Sequence, residues 1–160
     1  MLSEQIKTLL EDRIPGSILG VVENTVPEML QIDSRALVDV CKLLHDNEQT
    51  YFDSLSCITG IDNGEEINQM EVIYHLYSIP FDMHLALNVQ VDRREPFIDS
   101  VTTVWRTAEW HEREAYDLLG ISFNGHPDLR RILLPDDWVG FPLRKDYVEQ
   151  EKYHELKVKY

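Results

Sequence analysis

Cysteine is scarce in this chain. Cys41 and Cys57 are the two in 160 residues, and they form no CxxC pair. An iron–sulfur cluster takes about four thiolates, so the chain alone cannot hold one. Both thiols read as free and buried, Cys41 on the apolar face of a helix and Cys57 in a strand. Long hydrophobic runs are also missing, which excludes a membrane-spanning helix. The opening residues MLSEQIKTLLEDRIPG carry acids and lack the basic start and small-residue cleavage site of a secretory signal. The expectation is a cytoplasmic protein that meets a membrane only through a partner. Positive charge is in deficit too: 15 Lys and Arg stand against 29 Asp and Glu, a net charge of −14. Phosphate backbones need a basic footprint, so nucleic acid is excluded as a partner. No GxGxxG, GxxxxGK[ST] or GxSxG is present, and no Cys/His pair has nucleophile spacing.

What is there is an ordinary folding composition, 43% hydrophobic and 9% aromatic. Leu2, Ile6, Leu9 and Leu10 recur at helical spacing up to Pro15-Gly16. SILGVVE and EMLQI read as strands. Ser34 is placed to cap a second helix with the stripe Leu37, Val40, Cys41 and Leu44. YFDSLSCITGID, ending in the turn Asp62-Asn63-Gly64, and MEVIYHLYSI continue as strands. MHLALNVQV alternates Met83, Leu85, Leu87, Val89 and Val91 with His84, Asn88 and Gln90, which predicts one buried and one wet face. The fold class is α+β: a largely antiparallel, mixed sheet backed by helices.

After Pro96 the pattern changes. Residues 105–119 predict a helix burying Ala108, His111, Ala115, Leu118 and Leu119, with Gly120 as left-handed C-cap and Ile121 packing back. Beyond it, Pro127, Pro135, Pro142, Gly125 and Gly140 break every period, yet Trp, Leu, Ile and Arg remain frequent. A long irregular segment of this composition reads as ordered and functional. We therefore divide the chain into a core domain, 1–120, and an extended C-terminal arm, 121–160. The arm gathers Arg130, Arg131, Arg144, Lys145, Lys152, Lys157 and Lys159, a more basic end on an acidic protein.

The segment WHEREAYDLLGISFNGHPDLRRILLP opens like a zinc-protease helix, but Ala115 stands where the second histidine belongs. Glu114, three residues after His111, lacks a third ligand spaced to join them. Glu112 and Glu114 point to different sides of a helix and so make no acid–base pair. Glu109 and Arg113 are spaced for an i,i+4 ion pair. An arginine between two glutamates beside Trp110 is interface chemistry. His126, before Pro127, reads as a hydrogen-bonded turn residue. Arg130 and Arg131 suit carboxylate clamps or exposed charge beside a buried stripe.

With those residues in view, EREAYDLLGISFNGHPDLRRILLPDDWVGFPLRKDY, from Glu112 to Tyr147, resembles the signature of the 30 kDa subunit family of respiratory complex I. This is the C subunit of the NADH:quinone oxidoreductase. VIYHLYS and SVTTVW also resemble that family, and the likeness is weakest over the first forty or so residues. Phe141 and Val148 depart from it, where His or Tyr and Pro are common. The resemblance implies a non-catalytic subunit of the hydrophilic arm that docks on the large D subunit of the quinone module. The chain itself would bind no cofactor; FMN and iron–sulfur clusters would sit in partner subunits. NADH and quinone would be substrates of the whole complex, on the cytoplasmic side of the inner membrane. It further implies fold-or-docking roles for Glu112, Arg113, Glu114, Asp117, His126, Arg130, Arg131, Arg144, Lys145 and Asp146. Ending soon after KYHELKVKY, the chain is expected to carry no fused D subunit. The same module in a membrane-bound hydrogenase or an F420H2 dehydrogenase is the alternative. An independent metallohydrolase using His111 and Glu114 is the most distant reading.

Overall fold

The computed structural model describes residues 2–157. The side chain of Leu2 and Lys159 lie outside the described residues. Helix α1 (Leu2–Arg13) precedes strands β1 (Ile18–Val22) and β2 (Met29–Ile32), and a 3-10 turn, Ser34–Ala36, leads into α2 (Leu37–Asp46). Three longer strands follow: β3 (Ser54–Asp62), β4 (Gln69–Ser78) and β5 (Met83–Asp92). Next come β6 (Phe97–Asp99), α3 (Ala108–Leu119), β7 (Ser122–Asn124), and the short pair β8 (Lys152–Tyr153) and β9 (Leu156–Lys157).

The main sheet has five strands in the order β1-β2-β5-β4-β3. The β3–β4, β4–β5 and β1–β2 pairs are antiparallel, and β2–β5 is parallel. This is the mixed, largely antiparallel α+β fold expected from the order of helices and strands in the sequence. Ile6 and Leu10 of α1, Leu37, Val40, Cys41 and Leu44 of α2, and Ala108, Ala115 and Leu119 of α3 join the core-facing residues of the sheet in one apolar cluster.

Four local expectations are corrected. Asp33, not Ser34, carries the cap before α2: its carboxylate accepts the Arg35 N–H at 2.9 Å. The strand expected from Tyr51 begins at Ser54, because Tyr51 sits at φ 35° and cannot continue an extended chain. The second face of β5 is not wholly wet, since Ala86 and Asn88 are buried and the Asn88 amide donates to Glu71. Cys57 is half-buried, whereas Cys41 is fully enclosed.

Gly60 has a packing reason to lie in β3. A Cβ there would collide with the Leu119 side chain, so glycine lets α3 approach the sheet.

Candidate functional site

Helix α3 starts at Ala108, three residues later than its spacing suggests. Its buried residues are Ala108, Glu112, Arg113, Ala115, Asp117 and Leu119, with His111 and Leu118 only half-buried. Three charged residues thus occupy places that an apolar stripe would fill. Each is explained by what it meets.

Asp117 is fully buried. Its Oδ2 accepts the backbone N–H groups of Ile132, Leu133 and Leu134 at 3.0, 2.7 and 2.9 Å, and its Oδ1 accepts Arg131 Nη1 at 2.7 Å. Burial alone would raise this carboxyl, but the donors outweigh it and hold Asp117 below the usual range. Arg113 does not pair with Glu109, as the i,i+4 spacing suggests. Its Nε and Nη2 donate to the carbonyls of Arg130 and Arg131 at 3.1 and 3.0 Å. Its guanidinium lies 5.6 Å from the Trp110 ring centroid.

The C-terminal end of α3 explains the arginines of the arm. The last four carbonyls of an α-helix have no partner within it. Here the Tyr116 carbonyl takes the Gly120 N–H, and Arg131 donates to the Asp117 carbonyl at 2.9 Å. The Leu143 N–H donates to the Leu118 carbonyl at 3.0 Å, and Arg144 Nε to the Leu119 carbonyl at 2.6 Å. Gly120 makes the turn at φ 74°, as its place in the sequence predicts, and Ile121 packs into the core. Positive charge at this end also suits the helix dipole. Phe141 fills the space between the clamps, with Arg131 5.2 Å and Arg144 4.9 Å from its ring centroid. A side chain on Gly120 would strike that ring. Arg131 also spans the bend of the arm, donating to the carbonyls of Trp138 and Gly140, both at 3.0 Å.

A second clasp joins the β3–β4 turn to the arm at Lys145 and Asp146. Asp62 accepts Arg93 Nε at 2.7 Å, Arg93 Nη2 at 3.0 Å, the Gly64 N–H at 2.9 Å and the Lys145 N–H at 2.8 Å. Arg93 Nη2 also meets Asp146 at 2.7 Å. The Arg93 guanidinium holds the Asp62 carboxyl well below its ordinary value. Sequence reasoning passed over Arg93 and read Asp62 only as part of a turn. The one signal available was an arginine, Arg93, placed where a strand ends.

The remaining singled-out residues separate into two groups. Glu112 faces inward, accepting Ser100 Oγ at 2.7 Å and the Val101 N–H at 2.8 Å. Burial pushes its carboxyl up to about 7, against the pull of those two donors. His126 is the hydrogen-bonded turn residue its setting suggests: Nε2 meets the Glu109 carbonyl and Nδ1 accepts the Asp128 N–H, both at 3.0 Å. Glu114, Arg130 and Lys145 expose their side chains. Among the described residues, the Arg130 side chain bonds only to Asp128, at 2.9 Å. Among the described residues, no group of three His, Cys, Asp or Glu is placed to hold a metal ion, and His111 and Glu114 gain no third ligand. The geometry gathers arm and core.

Comparison with known proteins identifies the family. Residues 30–153 match the family described as the respiratory-chain NADH dehydrogenase 30 kDa subunit. The NADH-quinone oxidoreductase C subunit of Chlorobium phaeobacteroides is 44% identical, over 85% of this chain and 82% of that protein. The same subunit of Geobacter sulfurreducens is 42% identical over 86% and 85%. That of Chloroherpeton thalassium is 48% identical over 73% of this chain, which spans only 48% of that longer protein. Among solved structures, the trypsin-resistant fragment (1–134) of Nqo5 has a TM-score of 0.64 at 27% identity, covering 81% of this chain and all of that one. A chain of an archaeal membrane-bound sulfane sulfur reductase shares the fold, with a TM-score of 0.74 at 21% identity, over 91% of this chain and 85% of that one. The arm-to-core clasp lies largely within the matched residues, and the chain belongs to the 30 kDa subunit family of the respiratory-chain NADH dehydrogenase.

Proposed function

We propose that this chain is a non-catalytic subunit of the peripheral arm of a proton-translocating NADH:quinone oxidoreductase. It docks on the large D subunit of the quinone module and holds that module in place while electrons pass from NADH to quinone. One observation carries the reading. The arm turns Arg131, Arg144 and several backbone N–H groups inward on α3 and β3, while Leu133, Val139, Leu143 and Val148 turn outward at 63, 69, 59 and 80% exposure. Apolar side chains displayed from a pre-shaped backbone suit a protein partner better than they suit water. FMN, iron–sulfur clusters and the quinone site belong to the partner subunits, and this chain has no active site of its own. Arg131, Arg144, Asp117 and Arg113 serve docking by shaping the arm, and Arg130 and Lys145 by facing outward.

No described helix is long and apolar enough to cross a membrane. By its family, the chain sits on the cytoplasmic side of the inner membrane, attached through the complex. The test is capture of the tagged chain from detergent-solubilised native membranes. Co-recovery of a flavin- and iron–sulfur-containing assembly with NADH–quinone activity is the expected result. Recovery with a nickel–iron hydrogenase or an F420H2 dehydrogenase would keep the docking role and replace the electron donor. Recovery of the chain alone would overturn the reading.

A further inference from the structure

One stripe of α3 gives no side-chain hydrogen bond to the clasp among the described residues. Trp110, Glu114 and Leu118 stand one turn apart on it. Trp110 is 61% exposed, and Arg113 lies against its ring. Glu114 is exposed, and among the described residues its side chain makes no hydrogen bond or ion pair. Beside Glu114 a groove of about 140 Å³ runs between α3, β3 and the arm, lined by Ile58, Gly60, Leu118, Leu119 and Leu143. A carboxylate without a partner among the described residues, at a groove of mixed lining rich in aliphatic side chains and one turn from an exposed indole, is a chemically specific arrangement.

We infer that this stripe receives an arginine side chain carried on an apolar segment of a partner protein. Its aliphatic stem lies in the groove, its guanidinium pairs with Glu114, and its flat face stacks on Trp110. Arginine fits better than lysine because its planar fork can bind a carboxylate with two hydrogen bonds and stack on an aromatic ring. The net charge of −14 favours a basic segment and opposes a second copy of this chain. The groove also continues into the displayed arm through Leu143, so one partner can cover both. This inference rests on the docking reading above and adds to it the chemistry of the partner's anchor.

The experiment captures the tagged full-length chain from native membranes as wild type, Glu114→Gln, Glu114→Arg and the arm variant Val139→Asp. Co-recovered flavin-containing assembly is quantified at two salt concentrations. Glu114→Arg should cut recovery at least about tenfold, and Glu114→Gln by about threefold with a flatter salt dependence. Thermal melts of the isolated Glu114 variants should match wild type, since the Glu114 side chain has no hydrogen-bond or ion-pair partner among the described residues. A photo-crosslinking residue, Trp110→p-benzoylphenylalanine, should label a partner peptide holding an arginine among apolar residues. Wild-type recovery with Glu114→Arg alongside loss with Val139→Asp would overturn this site and leave the docking reading standing. A crosslinked peptide without arginine would also overturn it. Wild-type recovery with all variants, Val139→Asp included, would overturn both.

Discussion

Leu44, Phe52 and Leu87 in the core have no exposure and belong to one continuous apolar cluster. Ile132, Leu133 and Leu134 in the arm are half-buried or exposed, yet their backbone is fixed by a single carboxylate, that of Asp117. Apolar burial is non-directional and tolerates local adjustment; a carboxylate ringed by N–H donors specifies one backbone path. The core is thus ordered by area, and the arm by a few charged groups sent out from the core. A segment ordered this way leaves its own apolar side chains free for a partner.

Single substitutions can disrupt either kind of order. Phe52→Ala should lower the stability of the whole domain by about 3–5 kcal/mol, read by chemical denaturation, with core and arm lost together. Asp117→Ala removes the carboxylate that pairs with Arg131 and accepts three backbone N–H groups, an effect of about 3–5 kcal/mol on the arm contacts. Proteolysis should then cut beyond residue 128 while the sheet survives. Simultaneous loss of the sheet would contradict a separately held arm.

Acidity should act on the two regions in opposite senses. Glu112, raised to about 7 from an ordinary 4.5, contributes stability that is fully present below the unfolded value and is lost as pH rises through about 7. Glu112→Gln, which mimics the protonated acid, should flatten that slope and leave the variant more stable than wild type at pH 8. Asp62 and Asp117 are lowered, so their contribution is present above the ordinary carboxylate value and fades as pH falls through their folded values. The arm should therefore loosen in acid, where Glu112 favours the core. Melting curves across pH, with a fluorescent probe on each region, would separate the two. The smallest effect belongs to Arg130→Ala: its exposed pair with Asp128 should change stability by no more than about 0.5 kcal/mol.

How much of this was legible follows from the same contrast. The strands were readable because alternate residues share a face, and the mixed sheet followed from them. The stripe of α3 was misread at Glu112, Arg113 and Asp117, which are buried because of partners elsewhere in the chain. Arg131 is 14 residues from Asp117, and Lys145 is 83 from Asp62. No local period encodes such pairs. The arm's arginines were visible as a cluster, and their likeness to a known signature gave the family. Their target, the open carbonyl end of α3, became visible only in three dimensions.

The central claim is that the core shapes the arm before any partner arrives. Hydrogen exchange of the Ile132, Leu133 and Leu134 amides in the isolated chain tests it most directly. The account predicts slow exchange in the wild type and fast exchange at those amides in Asp117→Asn, with the amides of β4 and β5 unchanged. Wild-type exchange at the rate of an unstructured peptide would contradict it.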